Sequence, residues 1–443
     1  MSNLELGALF TSILLVFVLL GIRVAFAAGL VGFFGLVVYF SQKMGFEKGV
    51  IVAIKMAGTI PHSKSVFYAL SLIPTFILIG FLAFHAGLTK KLFDAAKKWL
   101  GWMPGGMAVA TIFATAGFAA VSGASVATAA VFARVAIPEM LAEGYSKRLA
   151  AGVVAAGGTL ATLIPPSTIL VIYAIIVEQS VGQLLVAGFL PGIASAFIYG
   201  VIIVVFAKWG KEAAPAVRGF TWHQRFSSLP GTIPIFVVVF IIFGSLFFGL
   251  ATPTEAGSLG AFVLLLIALA KGMRWPQLSD ALNETARLTV MIFTIIWGVL
   301  LYVRFLGFVG LPEAFSDFIA AIDQPPLVTL LLILCAYAVL GMFMDAIGML
   351  LLTLPVVYPA VMGLGYDPIW FGIIVVKMAE LCLITPPIGL NCFVVAGVRP
   401  DIPVQEVFKG ATPFFLADVI TIGVLIAFPS IVTWLPSLMF KIN

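Results

Sequence analysis

Apolar residues dominate this sequence, so the few oxygen-bearing residues set inside the apolar runs are where chemistry must be sought. One group is Ser122, Gly123, Ser125 and Thr128, opposed by Thr162, Pro165, Pro166 and Ser167. A second is Asp345 and Ala346, opposed by Thr385, Pro386, Pro387, Gly389 and Asn391. Hydroxyls and unwound backbone carbonyls are hard oxygen ligands that suit a dehydrated sodium ion, while helix N-termini suit a carboxylate. Both groups are therefore candidate sodium sites. The plain alternative is close helix packing through Gly, Ala, Ser and Thr.

Asp345 is the most pointed of these residues. A carboxylate inside an apolar segment costs at least about 2.5 kcal/mol, which calls for a cation, a partner or a water-filled cavity. The alternative is a protonated or Arg-paired structural aspartate. At spacing 221 its counterpart is Ala124, so the two ion sites are expected to differ. Lys377 and Glu380, at i and i+3 of one helix, are expected to neutralise each other. Arg134 is placed to snorkel toward the membrane surface. Arg304 is placed either to meet a substrate carboxylate or to snorkel outward. Asp418 has no evident partner and is a candidate proton relay.

Enzyme chemistry is excluded on motif grounds. His62, His85 and His223 are scattered, and no HExxH, GxSxG or GxxxxGK[ST] pattern occurs. Without a phosphate loop the chain does not hydrolyse ATP, so an ion gradient or a partner must supply the work. No cofactor is expected beyond sodium as coupling ion. Cys335, Cys382 and Cys392 form no CxxC and read as packing. The basic residues cap apolar runs without aromatic interleaving, which argues against nucleic acid.

The elements that must hold these groups follow from the prolines. Pro165-Pro166 interrupts one apolar run and Pro386-Pro387 another, 221 positions later; Pro138, Gly144, Tyr145 and Leu160 fall on Pro359, Gly365, Tyr366 and Leu381 at the same spacing. One insertion shifts it to 222, pairing Gln183, Gly188 and Pro191 with Gln405, Gly410 and Pro413. Tandem prolines remove amide donors and clash with the preceding turn. They predict broken helices over 149–180 and 370–398. Such breaks at matching places in two halves are the best sequence pointer to a transporter binding site.

With 62% hydrophobic and 10% charged residues, where soluble domains carry about a quarter charged, the chain reads as an all-α polytopic membrane protein in a lipid bilayer. Spans are expected at 4–22, 24–42, 66–87, 186–207, 232–250, 254–271, 286–307 and 412–436. Segments 104–140 and 327–361 are split at their polar tips into limbs too short for full crossings. They are expected to be re-entrant hairpins, the alternative being ordinary kinked spans. The organisation is then a first repeat over 1–207, a cytoplasmic linker over 208–231 and a second repeat over 232–443. Five crossings per half invert the second relative to the first.

Lys and Arg placement fixes the orientation. With the N-terminus outside, 15 of the 24 fall on inside loops, 5 outside (Lys43, Lys48, Lys55, Lys64, Lys441) and 4 within or at the ends of apolar segments. The stretch 88–100 sets apolar residues against four lysines, the pattern of a helix lying on a membrane surface. Its counterpart at 311–322 has no Lys or Arg and carries Glu313 and Asp317. Opposite charge on the same element agrees with opposite faces.

The stretches SGASVATAAVFARVAIPEML and TLATLIPPSTIL, with MDAIGMLLLTLPVVYPAVM and ELCLITPPIGLN, resemble the large (DctM-type) membrane subunit of tripartite ATP-independent periplasmic, or TRAP, transporters. The resemblance covers essentially the whole chain. It implies sodium-driven import of a small organic acid, such as a dicarboxylate or sialic acid, across the bacterial inner membrane with the N-terminus periplasmic. It also implies a periplasmic solute receptor, a separate small membrane subunit of four helices, and a scaffold against which a transport domain moves in elevator fashion. Ser122, Ser167 and Asp345 match family positions implicated in ion or substrate binding. With Ser125 and Arg304 they make the candidate substrate set. The alternatives are a receptor-independent carboxylate or ion exchanger, and a channel-like or scaffold subunit.

Overall fold

The chain folds around its interrupted helices, and each interruption has a local cause. The computed structural model describes residues 2–209, 214–322 and 324–439, the Lys64 side chain excepted. Lys211, Lys441, the Lys64 side chain, part of the 208–231 linker and the extreme ends of the two expected repeats therefore lie outside it. The described residues form helices and no strands. Eight helices are long and apolar enough to cross a bilayer, and the protein is a multi-pass membrane protein.

The first broken helix runs Lys147–Thr159, takes one 3-10 turn at Leu160–Thr162, and restarts as Thr168–Ile176. The second runs Pro368–Cys382 and restarts as Leu390–Val398. Both Pro-Pro bonds are cis. The segments expected to be hairpins each form two helices, Gly106–Ser122 with Ser125–Ala142, and Pro326–Gly341 with Ala346–Gly363; the first limb of each is short, as expected, but the second, at 18 residues, is among the eight long enough to cross. The horizontal helices are Leu88–Leu100 and Leu311–Ala320. Each is entered through a left-handed glycine, Gly87 (φ 70°) and Gly310 (φ 73°). Glycine takes that conformation without the Cβ penalty, so the chain turns sharply from span to surface at both places.

Contacts give the direction of each element. His85, ending Leu72–His85, lies 3.1 Å from Glu284 in the first third of Trp275–Val309. These counterpart helices run antiparallel. Tyr173 donates to the Pro368 carbonyl at 2.9 Å, while Lys147 pairs with Asp401 at 3.5 Å. The broken helices therefore also run antiparallel. Lys97 holds Glu139 at 3.1 Å and Glu143 at 3.4 Å, tying the end of the first hairpin to the basic helix.

Two span assignments need correction. A helix at Phe46–Ser65, not expected from the sequence, follows directly on Val24–Met44. Glu47, Lys48, Lys55 and His62 break up its apolar run, which hid it. Gly49 packs against Ser41, and Ile60 and Ser63 reach the same end of the molecule beside Arg304 and Phe308. Tyr39 and Phe40 also pack on Phe308. The helix thus begins and ends on one face and leaves the orientation unchanged. The expected span 412–436 is two helices, Val404–Ala427 and Ser430–Met439, because Pro429 cannot continue the ladder.

Candidate functional site

Each hairpin tip meets the break of its own half. At the first, the Gly123 backbone is left-handed (φ 59°), and a Cβ there would lie 2.4 Å from the Pro166 carbonyl oxygen. Only glycine allows that approach. The Thr168 amide donates to the Gly123 carbonyl at 3.3 Å. Ser167 caps the restarted helix by accepting from the Leu170 amide at 3.3 Å and donating to the Thr162 carbonyl. Thr162 donates to the Thr159 carbonyl at 2.9 Å. The Ser122 and Thr128 hydroxyls lie 2.8 Å apart, and Thr128 also donates to the Ala124 carbonyl at 3.0 Å. Pro165 and Pro166 are buried.

At the second break Pro386 and Pro387 are exposed, unlike their counterparts. The Ile388 amide donates to the Met342 carbonyl at 3.3 Å, joining tip to break. Asp345 is the N-cap of Ala346–Gly363, its Oδ1 accepting from the Gly348 amide at 2.9 Å. Thr385 donates to the Leu381 carbonyl at 2.7 Å. Asn391 is fully buried and donates to the Ala155 carbonyl at 3.2 Å, so it reaches into the first broken helix. Its Oδ1 has no hydrogen-bond partner among the described residues.

One cavity of about 660 Å³ joins the two tips. Gly123, Ser125 and Thr168 line it from the first half; Asp345, Ala346 and Ile388 line it from the second. It extends to the basic face, where Gly21, Arg23 and Arg287 form its rim. A second cavity of about 680 Å³ lies on the opposite face, lined by Ser63, Glu178, Arg304, Phe308, Leu351 and Pro355 among others. Three helices line both, and the changeover falls at Ile169 and Ile172, Ile295 and Ile296, and Ile347 and Leu351. An apolar layer thus stands between the two spaces.

The structure brings Ser125, Asp345 and Ala346 to the central cavity. It puts Ser122, Thr128, Thr162, Pro165, Pro166, Ser167, Thr385, Pro386 and Asn391 in the surrounding tips and breaks. Arg304 stands apart, in the opposite cavity, its guanidinium 5.8 Å from the Phe308 ring centroid. Thr168 was not singled out from the sequence. It lines the cavity, and its buried hydroxyl has no hydrogen-bond partner among the described residues. Its position directly after Pro165-Pro166-Ser167 was the available signal. From the sequence Arg23 counts only among the inside-loop residues, and Arg287 only among the four basic residues within or at the ends of apolar segments.

Asp418, expected to have no partner, has two. Lys377 Nζ lies 2.7 Å from its Oδ1, and the Tyr199 hydroxyl donates to the same oxygen at 2.6 Å. Lys377 also lies 3.1 Å from Glu380 Oε2, as its i, i+3 spacing suggested. The correction arises because the partner comes from another helix.

Residues 11–431 match the family model described as "Tripartite ATP-independent periplasmic transporter, DctM component". The chain is 34% identical over 388 residues to the C4-dicarboxylate TRAP transporter large permease protein DctM of Pseudomonas aeruginosa, covering 87% of each. The C4-dicarboxylate permease of Vibrio cholerae is 30% identical over 417 residues, with 87% of this chain and 89% of that protein covered. The sialic acid TRAP transporter permease protein SiaT of Haemophilus influenzae is 30% identical over 374 residues, 84% of this chain and 60% of that protein. Among solved structures, the Alcanivorax borkumensis YdaH transporter shares the fold, with a TM-score of 0.59, 15% identity, and 86% and 89% of the two chains covered.

Proposed function

This chain belongs to the DctM component family of tripartite ATP-independent periplasmic transporters, and from that premise we propose that it is the large membrane subunit of a sodium-coupled importer of a small organic acid. The protein lies in the inner membrane with its N-terminus periplasmic, and its basic face is cytoplasmic. A periplasmic receptor delivers the acid, and a small four-helix membrane subunit completes the complex. C4-dicarboxylates are the first substrates to test, because the permease with 34% identity is named for them.

The observation that carries this reading is the single cavity shared by both hairpin tips. It combines Ser125 and Thr168 oxygens, the Asp345 carboxylate and two arginines at the cytoplasmic rim. Sodium binds at the tip-and-break junctions, where Ser122, Gly123 and Thr128 face Thr162 to Ser167, and where Asp345 and Ala346 face Thr385 to Asn391. Broken helices offer such ions unwound carbonyls. The substrate sits between the tips. The two halves are inverted repeats, and the hairpins with the broken helices form a body that moves elevator-fashion past the remaining spans. In this state the cavity faces the cytoplasm and the apolar layer at Ile172, Ile296 and Leu351 closes it from the periplasmic side.

The test is uptake of a labelled dicarboxylate by the purified chain reconstituted in liposomes with the small subunit and the receptor. Accumulation should require an inward sodium gradient and both partners. Full-rate uptake without sodium, or without the receptor, overturns the reading. Asp345→Asn sharpens it, since Asn caps a helix about as well as Asp while removing the charge. The variant should fold normally and lose its sodium dependence.

A further inference from the structure

The structure assigns a bound proton to Glu380, held in the dry core where the two halves meet. Lys377, Glu380, Asp418, Tyr199 and Thr159 come from four helices, and each is 0% exposed. Neither large cavity is lined by any of them. The assignment concerns the interior of the molecule and does not depend on the cargo.

Charge gives the first argument. The cluster holds one ammonium and two carboxyl groups, a formal charge of −1 when all are ionised. The titratable groups facing Glu380 among the described residues are Lys377 on its own helix, and Tyr199 and Asp418 on its neighbours. None of the others adds a positive charge. A bare charge at this depth is strongly unfavourable, so a cation or a proton must balance it. The Lys377 ammonium already fills the space between the carboxylates, at 2.7 Å from one and 3.1 Å from the other. That leaves the proton.

Counting hydrogens points to the same answer and to one residue. A threonine hydroxyl has one hydrogen to give and two lone pairs. Thr159 Oγ1 lies 2.7 Å from the Ala156 carbonyl oxygen. A carbonyl carries no hydrogen, so the hydroxyl hydrogen occupies that contact. Thr159 Oγ1 also lies 2.9 Å from Glu380 Oε1 and 3.3 Å from the Tyr199 hydroxyl, which gives its own hydrogen to Asp418; one threonine hydrogen cannot serve both the Ala156 carbonyl and an ionised Glu380, and a proton on Glu380 supplies the second. Asp418 Oδ1 already receives Tyr199 and Lys377 and so remains the carboxylate. Glu380 Oε2 touches only the Lys377 ammonium, at 3.1 Å and outside hydrogen-bond geometry, and Asp418 Oδ2 has no hydrogen-bond partner among the described residues, which agrees with a group only partly matched when fully ionised. With Glu380 neutral, the Lys377–Asp418 pair balances.

The place is telling. Thr159 and Glu380 stand 221 positions apart, the spacing that relates the halves. Equivalent positions thus touch, and the proton bridges them. Lys377 and Asp418 correspond to Ala156 and Ala196, so the ion pair exists on one side only.

Infrared spectroscopy of the purified full-length chain tests this. The wild type should show a protonated-carboxyl C=O band at neutral pH that Glu380→Gln removes. That variant keeps a neutral hydrogen donor at the same place, so its melting temperature and uptake should match the wild type. Asp418→Asn leaves Glu380 as the carboxyl beside Lys377, so Glu380 should ionise to balance the ammonium; the band should then disappear, and the melting temperature should fall because the shorter Lys377–Asp418 contact is gone. Absence of the band in the wild type overturns the assignment even if no variant folds. So does a band that survives Glu380→Gln, or a Glu380→Gln variant as unstable as Asp418→Asn.

Discussion

The two breaks use one backbone device and surround it differently. In the first half the cis Pro165-Pro166 pair is buried, and the hydroxyls of Ser122, Thr128, Thr162 and Ser167 are all engaged in short local contacts. In the second half Pro386-Pro387 is exposed, a carboxylate caps the facing hairpin limb, and Asn391 Oδ1 is unpartnered. A junction of neutral hydroxyls, mostly tied to one another with only Thr168 Oγ1 left over, stands opposite one that carries a carboxylate. Repeating the sequence pattern therefore conserved the interruption of the helix but not the ligand set. Two cation sites built this way should differ in affinity, the carboxylate-bearing one carrying most of the electrostatic attraction.

The largest expected effect is at the anionic junction. Asp345→Ala removes both charge and cap, and sodium-dependent uptake should be lost while the complex still assembles on size exclusion. Uptake with wild-type sodium dependence would erase the contrast between the junctions. Next comes the hydroxyl junction. Gly123→Ala puts a methyl against the Pro166 carbonyl in a left-handed conformation that alone costs about 1–2 kcal/mol, so uptake should fall steeply. Gly389→Ala, also at positive φ, meets the edge of the Phe408 ring first, which can turn aside, and backbone only at 3.1 Å, the Thr385 carbonyl oxygen. Its loss should be smaller, read in the same assay. Ser167→Ala removes a helix cap worth about 1 kcal/mol and one hydroxyl of the hydroxyl junction, so it should lower the melting temperature by a few degrees and weaken, without abolishing, sodium-dependent uptake.

The smallest effect lies on the basic face, where Arg399 grips Asp401 at 2.8 and 2.9 Å and Lys147 crosses from the other half. Arg399 pulls the Asp401 carboxyl from its ordinary 3.8 down to about 2. A carboxyl held low in the folded state adds stability that is present above its ordinary value and is lost only as pH falls through the lowered one. Between about pH 5 and 8 this contact should leave melting unchanged. Asp401→Asn should also be near neutral, because exposed pairs contribute little.

Much of this arrangement was legible in the sequence where the cause is local. Proline pairs inside long apolar runs break helices at Pro165-Pro166 and Pro386-Pro387, whereas Pro325-Pro326 opens one, glycine turns the chain at Gly87 and Gly310, and the lysine face of 88–100 marks a surface helix. The helix at Phe46–Ser65 was not legible, because its charges hide an apolar face that only its packing against Val24–Met44 exposes. Arg304 could not be placed for a similar reason. Whether a guanidinium faces the tips or the opposite cavity depends on the register of a 35-residue helix against its neighbours.

The sequence by itself determined that two matching helices break, which residues flank each break, and which face is basic, since those depend on backbone constraints and charges a few positions apart. Only the tertiary structure decided that both tips share one cavity, that Arg304 stands outside it, and that Lys377 turns to Asp418 as well as to Glu380. A buried charge takes its partner from whichever helix packing brings within about 3 Å, and no spacing along one chain encodes that distance.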